Sequence, residues 1–98
     1  MKVVITEAAF ADMLSIGQFV MADSPIRAGS FVDELFESCQ KLENMPRIYP
    51  LPPAREDSGI RRKVHGNYLI FFRIASETVE VLHILHGAQD YERILIGE

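Results

Sequence analysis

The chain has one cysteine and no tryptophan in 98 residues. A single thiol excludes an internal disulfide, so the fold must rest on packing. Cys39 lies between Phe36 and Leu42, which reads as a buried, inert thiol rather than a reactive one. Long apolar runs are missing too. Val3-Val4-Ile5 is closed at once by Thr6-Glu7, so no signal peptide is expected. Nothing approaches the roughly 18 apolar residues of a membrane span. A cytoplasmic protein with no membrane partner is expected. There is no glycine-rich phosphate loop and no cysteine-based metal motif, so neither cofactor nor metal is expected.

An excess of positive charge is also absent. The net charge is −4, which gives no general pull toward nucleic acid. Its distribution is uneven. Residues 1–46 carry three cations and seven acids. Residues 47–73 carry six cations, Arg47, Arg55, Arg61, Arg62, Lys63 and Arg73, and two acids, Glu56 and Asp57. A basic middle in an acidic protein serves either an acidic partner or a phosphate backbone, or it is a solvated strand edge guarded by its charges.

What is present is an ordinary globular mix, 48% hydrophobic and 24% charged, enough for one domain over 1–98 with a single core. Lys2 to Ile5 is a short β candidate. Thr6 can cap a helix over Ala8 to Met21, with Phe10, Met13, Leu14, Gly17 and Val20 on one face and Ile16 and Phe19 widening the stripe. Ser24-Pro25 is a second helix start, a capping hydroxyl followed by proline at the first helical position. That helix runs to about Leu42, with Ala28, Val32, Leu35, Cys39 and Leu42 as its seam. So short a break requires a helical hairpin.

From Glu43 to about Ser58 the prolines Pro46, Pro50, Pro52 and Pro53 prevent regular structure, and Tyr49 and Leu51 serve as anchors to the core. Ile60 to His65 pairs with Tyr68 to Ile74 through Gly66-Asn67, a turn with glycine first, as a type II′ hairpin prefers. A turn near Ala75-Ser76-Glu77 leads to a strand over Thr78 to Leu85. Strict alternation puts Val79, Val81, His83 and Leu85 on one side and Glu80, Leu82, Ile84 and His86 on the other. The tail from about residue 90 is too short to form a stable helix alone. The order β-α-α-β-β-β predicts an α+β domain, a helical hairpin on an antiparallel sheet.

Little in the chain announces catalysis. No serine or cysteine nucleophile stands in a recognisable setting. His83, among Leu82, Ile84 and Leu85, reads as a satisfied buried imidazole. His86, before Gly87, reads as a partner for the backbone of the turn. A metal-free nuclease would need cations at the scissile phosphate and a group that moves a proton. Arg61, Lys63 and Arg73 would supply the first, and His83 or His86 the second.

Several segments, taken in order, carry a resemblance. They are Thr6-Glu7-Ala8-Ala9, Ser24-Pro25, Leu42 through Arg47, Ile60-Arg61-Arg62, Gly66 through Arg73, and Ile84 through Tyr91. Together they resemble the ParE branch of the RelE/ParE toxins. The resemblance implies a toxin that blocks DNA gyrase by binding it, not an enzyme. It implies neutralisation by a ParD-like antitoxin with a ribbon-helix-helix part, in a hetero-oligomer that reaches operator DNA only through the antitoxin. Acidic antitoxin tails suit Arg61, Arg62, Lys63 and Arg73. The family's C-terminal region implies a target contact at His86, Gln89, Asp90 and Tyr91. The RelE relatives, which cut messenger RNA on the ribosome, are the alternative, as is a module that binds antitoxin without toxicity. Where the family commonly has arginine, this chain has His83 and Gln89, and both changes remove a fixed positive charge.

Overall fold

The computed structural model describes residues 1–51, 58–89 and 91–96. Strand β1 (Lys2–Ile5) runs straight into helix α1 (Glu7–Asp23). Thr6 makes that junction. Its hydroxyl donates to the Val81 carbonyl at 2.7 Å and accepts from the Ala9 N–H at 3.3 Å, so one side chain caps the helix and ties it to the sheet.

Ser24 alone separates α1 from α2 (Pro25–Gln40). Its N–H donates to Val20 O and its carbonyl accepts from Arg27 and Ala28, so its backbone closes one helix and opens the next. The expected capping bond from its hydroxyl is not formed. Two 3₁₀ turns follow, Lys41–Glu43 and Pro46–Ile48. Then come β2 (Arg61–His65), β3 (Tyr68–Ala75), β4 (Thr78–His86) and a short helix α3 (Tyr91–Ile96). Pro52 and Pro53 lie outside the described residues.

The sheet order is β1-β4-β3-β2. Strands β2, β3 and β4 are antiparallel, but β1 joins β4 parallel, so the sheet is mixed rather than antiparallel. Local pattern says which residues form strands; the direction of β1 is set by where the chain leaves it. The Thr6 N–H bonds Val81 O and commits β1 to run alongside β4. Gly66 takes φ 60, as the hairpin turn requires, and Ser76 takes the same left-handed region at φ 57.

A β-bulge breaks the expected alternation on β4. Phe71 faces His83 while Phe72 faces Val81, which leaves Leu82 unpaired on β4. Val79, Val81 and Ile84 therefore enter the same core with Ile70 and Phe72. Ile84 and Val81 are not on opposite sides as strict alternation demands.

The helix side of that core holds Ala9, Met13, Ile16, Leu35, Cys39 and Leu42. Of the expected second-helix seam, Ala28, Leu35, Cys39 and Leu42 are buried, whereas Val32 is half-buried and lines the outer side of the hairpin. The α1 stripe is rotated from expectation: Met13 and Ile16 face the sheet as expected, joined by Ala9, while Phe10, Leu14 and Phe19 are exposed. Tyr49 anchors the proline-rich connection, edge-on to Phe72 with ring centroids 6.0 Å apart.

Candidate functional site

The three cations of β2 do not form one surface. Register places Arg61 opposite Phe72 and Lys63 opposite Ile70, on the face under the helices, and Arg62 opposite Phe71 on the other face. Each already has a partner. Arg61 donates to the carbonyls of Tyr49 at 2.7 Å and Arg47 at 3.2 Å. Lys63 donates to Ser38 O at 2.8 Å, near the end of α2, and its ammonium lies 5.5 Å from the Tyr49 ring centroid. A cation there satisfies a terminal carbonyl and complements the helix dipole. Arg62 reaches the Tyr91 hydroxyl at 3.4 Å. Arg73, on the Arg62 face, pairs across strands with Glu80 at 2.7 Å and is about half exposed.

His83 is held by a residue that sequence reasoning missed. Its Nδ1 lies 2.8 Å from Asp12 Oδ2, and the same oxygen accepts the Ile84 N–H at 2.9 Å. The bulge and the end of β1 explain this. Beyond Val81, β4 has no β1 residue beside it, and α1 lowers a carboxylate onto the open edge. The signal for Asp12 was its spacing: three after Ala9 and four before Ile16, on the stripe that faces the sheet.

His86 behaves as its position predicts. Its Nδ1 accepts the Ala88 N–H at 3.1 Å, its own N–H donates to Gln89 Oε1 at 2.8 Å, and Gln89 N–H returns to His86 O at 3.0 Å. The His86–Tyr68 rings meet edge-on at 5.3 Å, and Tyr68 meets Phe31 at 5.6 Å. A cleft of about 330 Å³ lies here between Phe19, Ile16, Tyr68, His86 and Gln89. So the structure joins His86 to Gln89. It places Tyr91 elsewhere, against Phe71 with ring centroids 5.1 Å apart, on the opposite face of the sheet. Asp90 lies outside the described residues.

The five residues a nuclease would use are thus spread out. Arg61 and Lys63 sit on β2, two strands from His83 and His86 on β4, a separation of roughly 10 Å at ordinary strand spacing. Arg73 faces the other side of the sheet. A proton-moving group and its phosphate clamp must meet within hydrogen-bond reach of one substrate, and these side chains do not converge on one. Among the described residues, no three histidine, cysteine or acidic side chains cluster as metal ligands. Burial pushes the Cys39 thiol up to about 11, which removes it as a nucleophile.

One exposed apolar feature includes two residues the sequence assigned to the core, Phe10 and Leu14. Phe10, Leu14 and Met21 stand on the outer side of α1, each more than half exposed. Leu14 and Met21, with Met13, Gly17, Gln18, Ala28, Gly29 and Val32, line an apolar groove of about 250 Å³ along the hairpin. Contiguous exposed apolar surface of this kind marks an interaction site.

Known proteins match this architecture. The chain superposes on a chain of the chromosomal ParDE TA system from P. aeruginosa with a TM-score of 0.77 at 21% identity, covering 88% of this chain and 95% of that one. Against the toxin–antitoxin complex RelBE2 from Mycobacterium tuberculosis the TM-score is 0.64 at 24% identity, covering 87% and 95%. Both likenesses establish the fold. No curated protein sequence matches the chain at a significant level. The family model for the ParE toxin of the type II toxin–antitoxin system, parDE, matches residues 3–91. That match spans nearly all of the chain and includes both the hairpin and the bulged sheet: the chain belongs to the ParE toxin family of type II toxin–antitoxin systems.

Proposed function

We propose that this ParE-family toxin acts in the cytoplasm by binding DNA gyrase, without catalysis of its own, and is silenced by a ParD-like antitoxin. The observation that carries the non-enzymatic reading is the fate of the candidate catalytic groups. Arg61 and Lys63 are committed to main-chain carbonyls, Arg73 to Glu80, His83 to Asp12, and His86 to the backbone of its own turn. The cleft at His86 and Gln89, walled by Phe19 and Tyr68, is the target-binding element of this reading. Of the four residues expected at the target, only His86 and Gln89 belong to this cleft, because Tyr91 stands on the opposite sheet face and Asp90 lies outside the described residues.

The antitoxin docks by a helix laid in the outer groove of the hairpin, the helix-in-groove mode. Its tail then meets the sheet cations. Of these, Arg73 and Arg62 are the better placed, because Arg61 and Lys63 spend their donors internally. Charge contacts at such a rim speed and orient docking, while the apolar groove supplies most of the affinity.

A second reading is a RelE-like ribonuclease. The observation that favours it is the Asp12–His83 pair, an imidazole oriented by a carboxylate as a general base requires. One experiment separates the two. The chain is co-expressed with the neighbouring small reading frame, the complex is purified, and the toxin is released. Gyrase supercoiling and cleavage of ribosome-bound messenger RNA are then assayed side by side. Inhibition of supercoiling with intact message supports the first reading; cleaved message with unaffected gyrase overturns it.

A further inference from the structure

We infer that the cleft at His86 and Gln89 receives a segment of the target protein in which an apolar side chain stands beside a carboxylate. This rests on the target-binding reading above and specifies the chemistry that the cleft recognises. Its apolar part is Ile16, which is buried, with Tyr68 and Phe19, the latter 72% exposed. Its polar part is the His86–Gln89 turn, and the hydrogen bonds of that turn decide what it can offer. Ala88 N–H donates to His86 Nδ1 at 3.1 Å, so that nitrogen carries no proton and the ring N–H is on Nε2. His86 N–H donates to Gln89 Oε1 at 2.8 Å, which commits the carboxamide oxygen to the strand end and leaves the NH2 for a ligand. Among the described residues neither His86 Nε2 nor the Gln89 NH2 has a hydrogen-bond partner. The turn itself is fixed from two sides. Gln89 N–H returns to His86 O at 3.0 Å, and Gly87 N–H is held by Asn67 O at 3.0 Å. The two donors are thus in place before a ligand arrives.

Two free donors, with the matching acceptors already used, select the occupant. The Ser15 and Tyr68 hydroxyls of the same lining either donate or accept, so they follow what the turn selects. Among strongly hydrogen-bonding side chains, the carboxylate accepts at every position and donates at none. Its hydrogen bonds are also about twice as strong as neutral ones. A lysine ammonium would set donor against donor, and a carboxamide would match with only one of its ends. A phosphate backbone is poorly served, because no lysine or arginine lines the cleft. The volume of about 330 Å³ is at the low end for binding pockets and suits the side chains of one short segment. An apolar side chain seated on Phe19 and Tyr68 keeps water from the donors, where the carboxylate's bonds then gain strength.

The test uses three short synthetic peptides with blocked ends, each with a central leucine followed by glutamate, glutamine or lysine. Each is titrated into the isotopically labelled full chain. The glutamate peptide is expected to perturb the amides of Ser15, Phe19, Ala88 and Gln89. It should bind about tenfold tighter than the lysine peptide and a few-fold tighter than the glutamine peptide. Gln89→Glu keeps an oxygen for His86 N–H but replaces the NH2 by a second acceptor. That variant should lose the preference for glutamate and favour lysine instead. Equal or tighter binding of the glutamine or lysine peptide to the parent chain overturns the inference. So does binding elsewhere, no binding by any peptide, or a preference that Gln89→Glu leaves unchanged. A single-stranded RNA oligonucleotide that perturbs the same amides more tightly than the glutamate peptide overturns it as well. Gyrase inhibition is not read in this experiment, so a failure here leaves the toxin reading standing, and a failure of that reading leaves the peptide result standing.

Discussion

Asp12 and His83 lie 71 positions apart, and a 2.8 Å contact joins them across the boundary between helix α1 and strand β4. The Asp12 oxygen that holds the imidazole also takes the Ile84 N–H at 2.9 Å. One carboxylate therefore closes the edge that β1 leaves open and fixes the ring beside the bulge. Removing it strands a backbone donor that β1 does not reach. Asp12→Ala should cost about 1–3 kcal/mol in urea unfolding, and Asp12→Asn, which keeps an acceptor oxygen, should cost less. Amide exchange at Ile84 should accelerate in the alanine variant. An unchanged exchange rate there would show that the bond does not protect the edge.

Lys63 tests whether the basic cluster is internal. A free docking cation on an exposed edge contributes little to stability. Lys63 instead holds the Ser38 carbonyl and lies near the face of Tyr49. Lys63→Ala should destabilise the chain by about 1–2 kcal/mol, measured by thermal or urea unfolding. Arg73→Ala, whose partner pair is largely solvated, should change stability by less than about 1 kcal/mol. Equal small effects at both positions would return Lys63 to the surface.

The two hairpin glycines should respond oppositely. Gly29→Ala adds a methyl in open space on a helix and should stabilise the chain by about 0.5–1 kcal/mol. Gly17→Leu forces bulk against Val32 and should cost about 1–3 kcal/mol by prying the helices apart. The measurement is the shift in melting temperature of each variant. A stabilising Gly17→Leu would contradict the close helix contact.

Cys39 gives a pH dependence. Its thiol is raised from 9.0 to about 11 by burial, so the folded state holds the proton more tightly than the unfolded state. The contribution is fully present below about pH 9 and is lost as pH rises toward 11, an effect on the order of 2–3 kcal/mol. Unfolding should therefore become easier across that window in the parent chain than in Cys39→Ala, once the offset at neutral pH is subtracted. Parallel pH profiles would mean the thiolate is not excluded from the core.

The element order, the hairpin and the α2 seam were legible because α2 has one apolar side and charged residues on the other. Helix α1 was not, because it is apolar nearly all round: Ala8, Ala11, Phe19 and Ala22 leave no polar face to set its rotation. Phe10 and Leu14, on its outer side, therefore read as core. The bulge at Leu82 was invisible, since one unpaired leucine in a strand apolar on both faces leaves no trace in a period of two. The parallel direction of β1 and the Asp12 contact both depend on long-range closure that local spacing does not encode. The basic cluster was seen, but alternation on β2 separates Arg62 from Arg61 and Lys63, and their partners come from Tyr49, Ser38 and Tyr91, far along the chain.

Occupation of gyrase, rather than RNA cleavage, is the action we propose for this toxin. The most direct measurement is gyrase-catalysed supercoiling titrated with the purified chain, with ribosome-bound messenger RNA probed in parallel. Supercoiling should fall as toxin approaches the concentration of gyrase, the message should stay intact, and added antitoxin should restore supercoiling. Full supercoiling at excess toxin together with cleaved message would contradict that action.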